Sequence, residues 1–144
     1  MINLISGIDS TAAALNAERV RMDVVTENIA NADTTRVNGQ RTPYQRQQVV
    51  FETVLRAAQG GDASVTSPQS IQVARIEKDN RPPRMVYNPT HPDADATGMV
   101  AMPAINVHEE MVDMIAISRA FEANLAVVKN ARAMAMQALS IGKR

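Results

Sequence analysis

The sequence has no cysteine, no tryptophan, two phenylalanines and two tyrosines. The missing cysteine removes thiol catalysis, disulfides and cysteine–zinc sites together. The shortage of aromatics leaves few large anchors for a compact core, because much of the 45% hydrophobic content is alanine and methionine. An excess of one charge is also lacking, since 15 basic and 15 acidic residues balance to a formal net charge of zero. No electrostatic footprint for nucleic acid or an anionic membrane therefore exists. No apolar run approaches the ~20 residues of a membrane span, so direct membrane insertion is not expected. The opening MINLISGIDSTAAALNAERV lacks a basic leader, and Asp9 interrupts what would be its apolar segment. A cleaved secretory signal is not expected.

Two long stretches lack glycine and proline, and these carry the helical signal. From Ile8 to Asn38, Ile8, Leu15, Met22 and Ile29 recur at sevens, while Leu4 or Ile5, Ala12 and Val25 supply most of the intervening positions and Arg19 breaks the series. The close, NADTTRVNG, is turn chemistry with a glycine stop. Asn28 and Asn31 stand near that end, where short amide side chains compete for backbone hydrogen bonds. In the second stretch Asn106 can cap a helix, with Glu109 at its third position and Gly142 as its stop. Val107, Met114, Phe121, Val128 and Ala135 form one series of sevens. Met111, Ser118, Leu125, Arg132 and Leu139 form the other. Early Glu109, Glu110 and Asp113 and late Lys129 and Arg132 complement the helix dipole.

Between the helices the material changes. PYQRQQVVFETVL predicts a strand around Tyr44–Val54, and IQVARIEKD, RMVY and MVAM predict three more short extended pieces. The Ala57–Ser70 segment reads as a flexible connector, and NPTHPDADATG as a proline-punctuated turn. The expected division is an N-terminal helix within 1–38, a small β and irregular region over 39–105, and a C-terminal helix within 106–144. The fold class is mainly α with a small β region. Helices of about 30 and 35 residues span roughly 45 and 53 Å, whereas a compact globule of this length is about 38 Å across. The molecule is expected to be elongated, with apolar surface left for neighbours.

Motifs for catalysis are scarce. His91, Asp93 and Asp95 are of metal-ligand type and alternate along the chain, so in an extended loop they would project to one side. Pro89, Pro92 and Gly98 favour a turn instead, with the aspartates binding local backbone amides. Histidine–acid spacing for zinc, G-x-S-x-G, P-loop and dinucleotide glycine patterns are all missing. No enzyme, metal or cofactor is expected.

These residues resemble the bacterial flagellar rod and hook family, and within it the proximal-rod members. Ala30, Asn31, Ala32, Thr34 and Thr35 match the A-N-A-x-T-T signature that ends the family's first helix. NPTHPDADATGMVAMPAINVHEEMVDMI, with His91, Pro92, Asp93, Asp95 and Gly98, resembles the segment that sets the proximal-rod members apart. Ser118, Arg119, Phe121, Ala123 and Asn124 match the S-R-x-Y/F-x-A-N pattern of the terminal helix. Met99 stands where tyrosine is common, and Thr90 where a small residue is usual.

The resemblance implies a non-enzymatic structural subunit of the basal-body rod, exported by the flagellar type III apparatus without a cleaved signal and polymerised in the periplasm. It implies terminal helices paired as a coiled coil around an axial channel, in a shaft that transmits torque. Implied partners are copies of the chain, other rod subunits and the export-gate or base adaptor proteins. Ile8, Leu15, Met22, Ile29, Val107, Met111, Met114, Phe121, Leu125, Val128 and Leu139 are the expected seam and interface positions. Asn28 and Asn31 are expected to bind the backbone of their own turn or of an adjacent subunit. The competing reading is a soluble helical adaptor or secretion chaperone using the same apolar faces on one partner.

Overall fold

The C-terminal helix begins where its caps put it. Asn106 Oδ1 accepts the His108 amide at 3.1 Å, and Asn106 Nδ2 donates to Glu109 Oε1 at 3.0 Å. The first of these bonds occupies an amide that a helix start leaves unpaired, and the second holds the capping side chain in place. The computed structural model describes residues 2–54 and 70–141. In chain order these form α1 (Ile2–Ala30), β1 (Gln47–Val54), β2 (Ser70–Lys78), β3 (Arg84–Tyr87), β4 (Met99–Met102) and α2 (Val107–Ile141). The helix–β–helix order and α2's bounds match expectation. The first helix starts at Ile2 and runs through Gly7. Most of the expected Ala57–Ser70 connector lies outside the described residues.

The four strands make two separate antiparallel pairs, β1 with β2 and β3 with β4. A bulge between Val50 and Phe51 shifts the first register, so Val50 opposes Arg75 while Phe51 opposes Val73. A lone two-stranded pair is marginal in water. Here α1 packs across both β1 and β2 and along α2, so it is the spine that these three elements share.

An Asn28–Glu110 hydrogen bond of 3.1 Å joins the last turn of α1 to the first turn of α2. From that point the helices run antiparallel. Along α2 the covered seam follows Glu110, Met114, Ile117, Phe121, Asn124, Val128, Ala131 and Ala135, with Asp113, Ser118 and Ala120 at its margin. Steps of four and three alternate throughout, the spacing by which one helix keeps one line of side chains on another. On α1 the same spacing runs back from Asn28 through Val24, Arg21, Ala17, Ala14 and Ser10, all fully or partly covered. Ala17, Ala14 and Ser10 on the α1 line are small, which permits close approach of the two helices there.

One expected series fits this seam and the other does not. Met114, Phe121 and Val128 are partly covered, as are Ile8, Leu15, Met22 and Ile29 on α1. Met111, Leu125 and Leu139 lie one residue out of phase and are 52%, 40% and 69% exposed. Val107, at the helix start, is also exposed.

Candidate functional site

Asn28 is fully buried, and every polar atom of its side chain is used. Its Nδ2 donates to the Gln47 carbonyl at 2.9 Å, and its Oδ1 accepts the Gln47 amide at 2.9 Å. Both backbone groups of one strand residue point to the same side. Gln47 therefore turns them away from β2, and Asn28 completes the open edge of β1 as another strand would. The second Nδ2 hydrogen goes to Glu110 Oε2, and the Tyr44 hydroxyl donates to Oδ1 at 3.3 Å. No aliphatic side chain of this size can supply two donors and two acceptor sites.

Glu110 is equally buried, and Arg46 Nε donates to its Oε1 at 2.6 Å. Arg46 in turn reaches Asp79 Oδ2 at 3.8 Å, while its carbonyl accepts the Asp79 amide at 2.7 Å. Asp79 also accepts from Arg81 Nε at 2.7 Å, and that hydrogen bond holds its carboxyl below the ordinary range. Burial raises the Tyr44 phenol above its usual value, with the Glu27 charge adding to the effect. One polar cluster thus ties together α1, the start of β1, the segment after β2 and α2. Burying an ion pair is costly unless hydrogen bonds satisfy it, and both oxygens of Glu110 are satisfied. The cluster therefore specifies how these elements meet.

The asparagine signature forms the turn beside this junction. Asn31 Nδ2 donates to the Glu27 carbonyl at 2.9 Å and closes α1, while Asn31 Oδ1 accepts the Thr34 hydroxyl at 3.1 Å. The Thr34 carbonyl accepts the Tyr44 amide at 3.0 Å, which brings the chain back toward β1. Ala30 ends the helix exposed, and Ala32 is buried. Asn38 and Gly39 both have positive φ between the bridged Val37 and Gln40, the pattern of a type I′ turn. Asn31 therefore serves its own turn, as expected, whereas Asn28 serves a strand nineteen residues ahead.

The HPDAD loop connects β3 to β4 and divides its aspartates between two tasks. Asp95 Oδ1 accepts the amides of Thr97 and Met99 at 2.8 and 2.9 Å and the Thr97 hydroxyl at 2.7 Å. The hydroxyl contributes most to holding the Asp95 carboxyl below its ordinary range. Asp93 instead leaves its own loop. Its Oδ2 accepts the Thr35 hydroxyl at 2.7 Å, its Oδ1 accepts Arg36 Nε, and Arg41 stands at 4.0 Å. Thr35 is the largest cause of the lowered Asp93 carboxyl, and Arg36 adds to it. The loop is thereby clasped to the signature turn. His91 Nδ1 accepts the Asp93 amide at 3.1 Å, and Pro92 is exposed. Gly98 has a φ of +79°, and a Cβ there would lie 2.9 Å from Tyr87 Cε2. Among the described residues, no three histidine, aspartate or glutamate side chains converge as a metal would require. None of the described helices is long and apolar enough to cross a membrane.

Much of what α2 offers outward is apolar. Val112, Ile115, Val127, Met134, Met136, Leu139 and Ile141 are each more than half exposed. A helix apolar on several faces belongs inside a larger body.

Comparison with known proteins agrees with this arrangement. Residues 8–36 match the family model described as "Flagella basal body rod protein", and residues 96–141 match "Flagellar basal body rod FlgEFG protein C-terminal". These spans cover α1 from Ile8 with the turn that follows it, and α2 with the strand before it. The flagellar basal-body rod protein FlgC of Bacillus subtilis is 39% identical, over 94% of this chain and 96% of its own. Its namesake in Borreliella burgdorferi is 37% identical over 97% and 98%, and that of Salmonella typhimurium is 36% identical over the same shares. Joined to the buried Asn28 junction and the apolar outer surface of α2, these likenesses show that the chain belongs to the FlgC family of flagellar basal-body rod proteins, structural subunits of the rod and not enzymes.

Proposed function

We propose that the chain builds the proximal part of the rod, where α1 and α2 pair as a coiled coil in an inner tube around the axial export channel. Copies assemble with one another and with other rod proteins into a drive shaft that crosses the periplasm and transmits torque. The base of that shaft meets the export gate or its adaptor proteins. Subunits reach it through the type III apparatus without a cleaved signal. The observation that carries this reading is the outward apolar surface of α2, a helix that already has α1 as its partner.

The mechanics follow from the same geometry. Torque on a shaft becomes shear between subunits, and many apolar contacts distributed along long helices resist shear without any single strong bond. Met111, Leu125 and Leu139, exposed in the single chain, become contacts with neighbours. The buried Asn28–Glu110–Arg46 cluster keeps each subunit's helix pair and hairpin at one mutual orientation, so that load passes through a rigid unit.

Fractionation tests the reading. In cells producing the chain, it should copurify with isolated basal bodies, and a density map should place α1 and α2 along the rod axis. A soluble adaptor or secretion chaperone would use the same surface on one partner and stay out of the basal body. Recovery solely in the soluble fraction overturns the proposal.

A further inference from the structure

α1 presents a second stripe to solvent, on the side opposite its seam with α2. Asp9, Ala12, Asn16, Arg19, Asp23 and Thr26 are all exposed and follow one another in alternating steps of three and four. That is the spacing of a helix-pairing line. Its charged members form no ion pair within the described chain. α2 carries a stripe of the same spacing on the flank of its own seam, through Ile115, Ser118, Glu122, Leu125, Lys129 and Arg132. Ile115 and Leu125 on it are 55% and 40% exposed.

We propose that these stripes are two halves of one contact, with α1 of one copy lying against α2 of a second copy. The helices run antiparallel, with Asp9 opposite Arg132, Arg19 opposite Glu122 and Asp23 beside Arg119. The proposal rests on the rod-subunit reading and names the surfaces used. Direction follows from architecture, because α1 and α2 are antiparallel within the chain. Neighbouring copies that share one orientation must therefore bring α1 to α2 in that same sense.

Charge selects the register. Sliding by one heptad in one direction removes all three opposite-sign pairs, and sliding in the other sets Arg19 against Lys129. A parallel arrangement at matching spacing keeps Asp23 with Lys129 alone. At the chosen register Asn16 meets Leu125 near the centre, and the ion pairs surround that contact. Exposed ion pairs add little stability but reject wrong registers effectively.

The absence of cysteine makes the test direct, since Asn16→Cys with Leu125→Cys can cross-link through no other thiol. The full-length variant is oxidised both in isolated basal bodies and as concentrated purified protein. We expect a ladder of covalent multimers in steps of one chain mass. Asp9→Lys with Asp23→Lys should reduce the ladder about tenfold, and adding Arg119→Glu with Arg132→Glu should return it to within about twofold. All four charges lie at the surface, so far-UV circular dichroism should stay unchanged. A ladder indifferent to charge, one that the compensating pair does not restore, or a product joined to a different protein overturns the proposal. So does no ladder in basal bodies that contain the variant. Absence of both variant and wild type from basal bodies counts against the rod reading instead, and the purified protein then decides the stripe contact.

Discussion

The side-chain amide of Asn28 donates to the buried carboxylate of Glu110 across 82 residues of sequence, and the same amide pairs with both backbone groups of Gln47. Asn28→Ala leaves those groups unpaired in a site too tight for easy rehydration. Each buried group orphaned costs about 1–3 kcal/mol, so the variant should lose roughly 2–4 kcal/mol of unfolding free energy. Asn28→Asp should be worse at neutral pH, because a second carboxylate then faces Glu110. That excess should shrink as the pH approaches the carboxylate range. Urea unfolding of both variants at two pH values checks this, and equal costs at neutral pH would contradict it.

Two glycines with nearly the same backbone angle separate strain from contact. Gly39 has a φ of +78° with nothing within 4 Å of where a methyl would stand, whereas a methyl on Gly98, at +79°, would press on Tyr87 and Pro89. Gly39→Ala should cost about 1–2 kcal/mol, the penalty of the left-handed region for a residue with a Cβ. Gly98→Ala carries that penalty plus the clash. Shortening Tyr87 to alanine should recover part of the Gly98→Ala loss and none of the Gly39→Ala loss. Thermal unfolding of the single and double variants measures the coupling.

Acid sensitivity should originate in the HPDAD loop and at Asp79, whose carboxyl the Arg81 hydrogen bond also holds low. Asp93 and Asp95 both titrate below the ordinary aspartate value of 3.8, chiefly through the Thr35 and Thr97 hydroxyls respectively. A carboxyl with a lowered folded pKa stabilises the fold above its unfolded value, and that contribution disappears as pH falls through the folded value. Wild-type stability should therefore decline below about pH 4. Asp93→Asn and Asp95→Asn should each be less stable at neutral pH and show a shallower acid decline. Thr35→Val should raise the Asp93 midpoint in a carboxyl NMR titration while leaving Asp95 unmoved.

The parts legible in the sequence are those fixed by local chemistry. Asn106 and Glu109 set the start of α2, and RMVY and MVAM give β3 and β4 because β-branched and bulky residues stand between turns. The signature turn is also local, since Asn31 binds Glu27 and Thr34. What escaped depends on distant partners. Asn28 reads as a helix-end residue because the donor and acceptor it meets, at Gln47, lie on another element. The phase of the second α2 seam is hidden because Met111, Leu125 and Leu139 are more apolar than Glu110, Asn124 and Ala131. Hydrophobic pattern alone favours the former, and it does not tell a face turned to its own partner helix from one left for neighbours. Asp93 likewise reads as a local turn residue until Thr35 and Arg36 approach from the far side.

That distinction between inward and outward faces gives the last prediction. Ile117 is 1% exposed against α1, and Leu139, on the same helix, is 69% exposed. Ile117→Ala removes a buried side chain and should cost the isolated chain about 2–4 kcal/mol through lost burial and the cavity left behind. Leu139→Asp changes an outward-facing position and should alter the isolated chain's unfolding by no more than about 0.5 kcal/mol. In the rod the order reverses for Leu139, because a charge placed against a neighbour's apolar surface must be desolvated without a partner. Swimming and basal-body incorporation should therefore fall sharply for Leu139→Asp even though its urea midpoint equals that of wild type. If Leu139→Asp swims and incorporates normally, the outer face of α2 is not a subunit contact at that position.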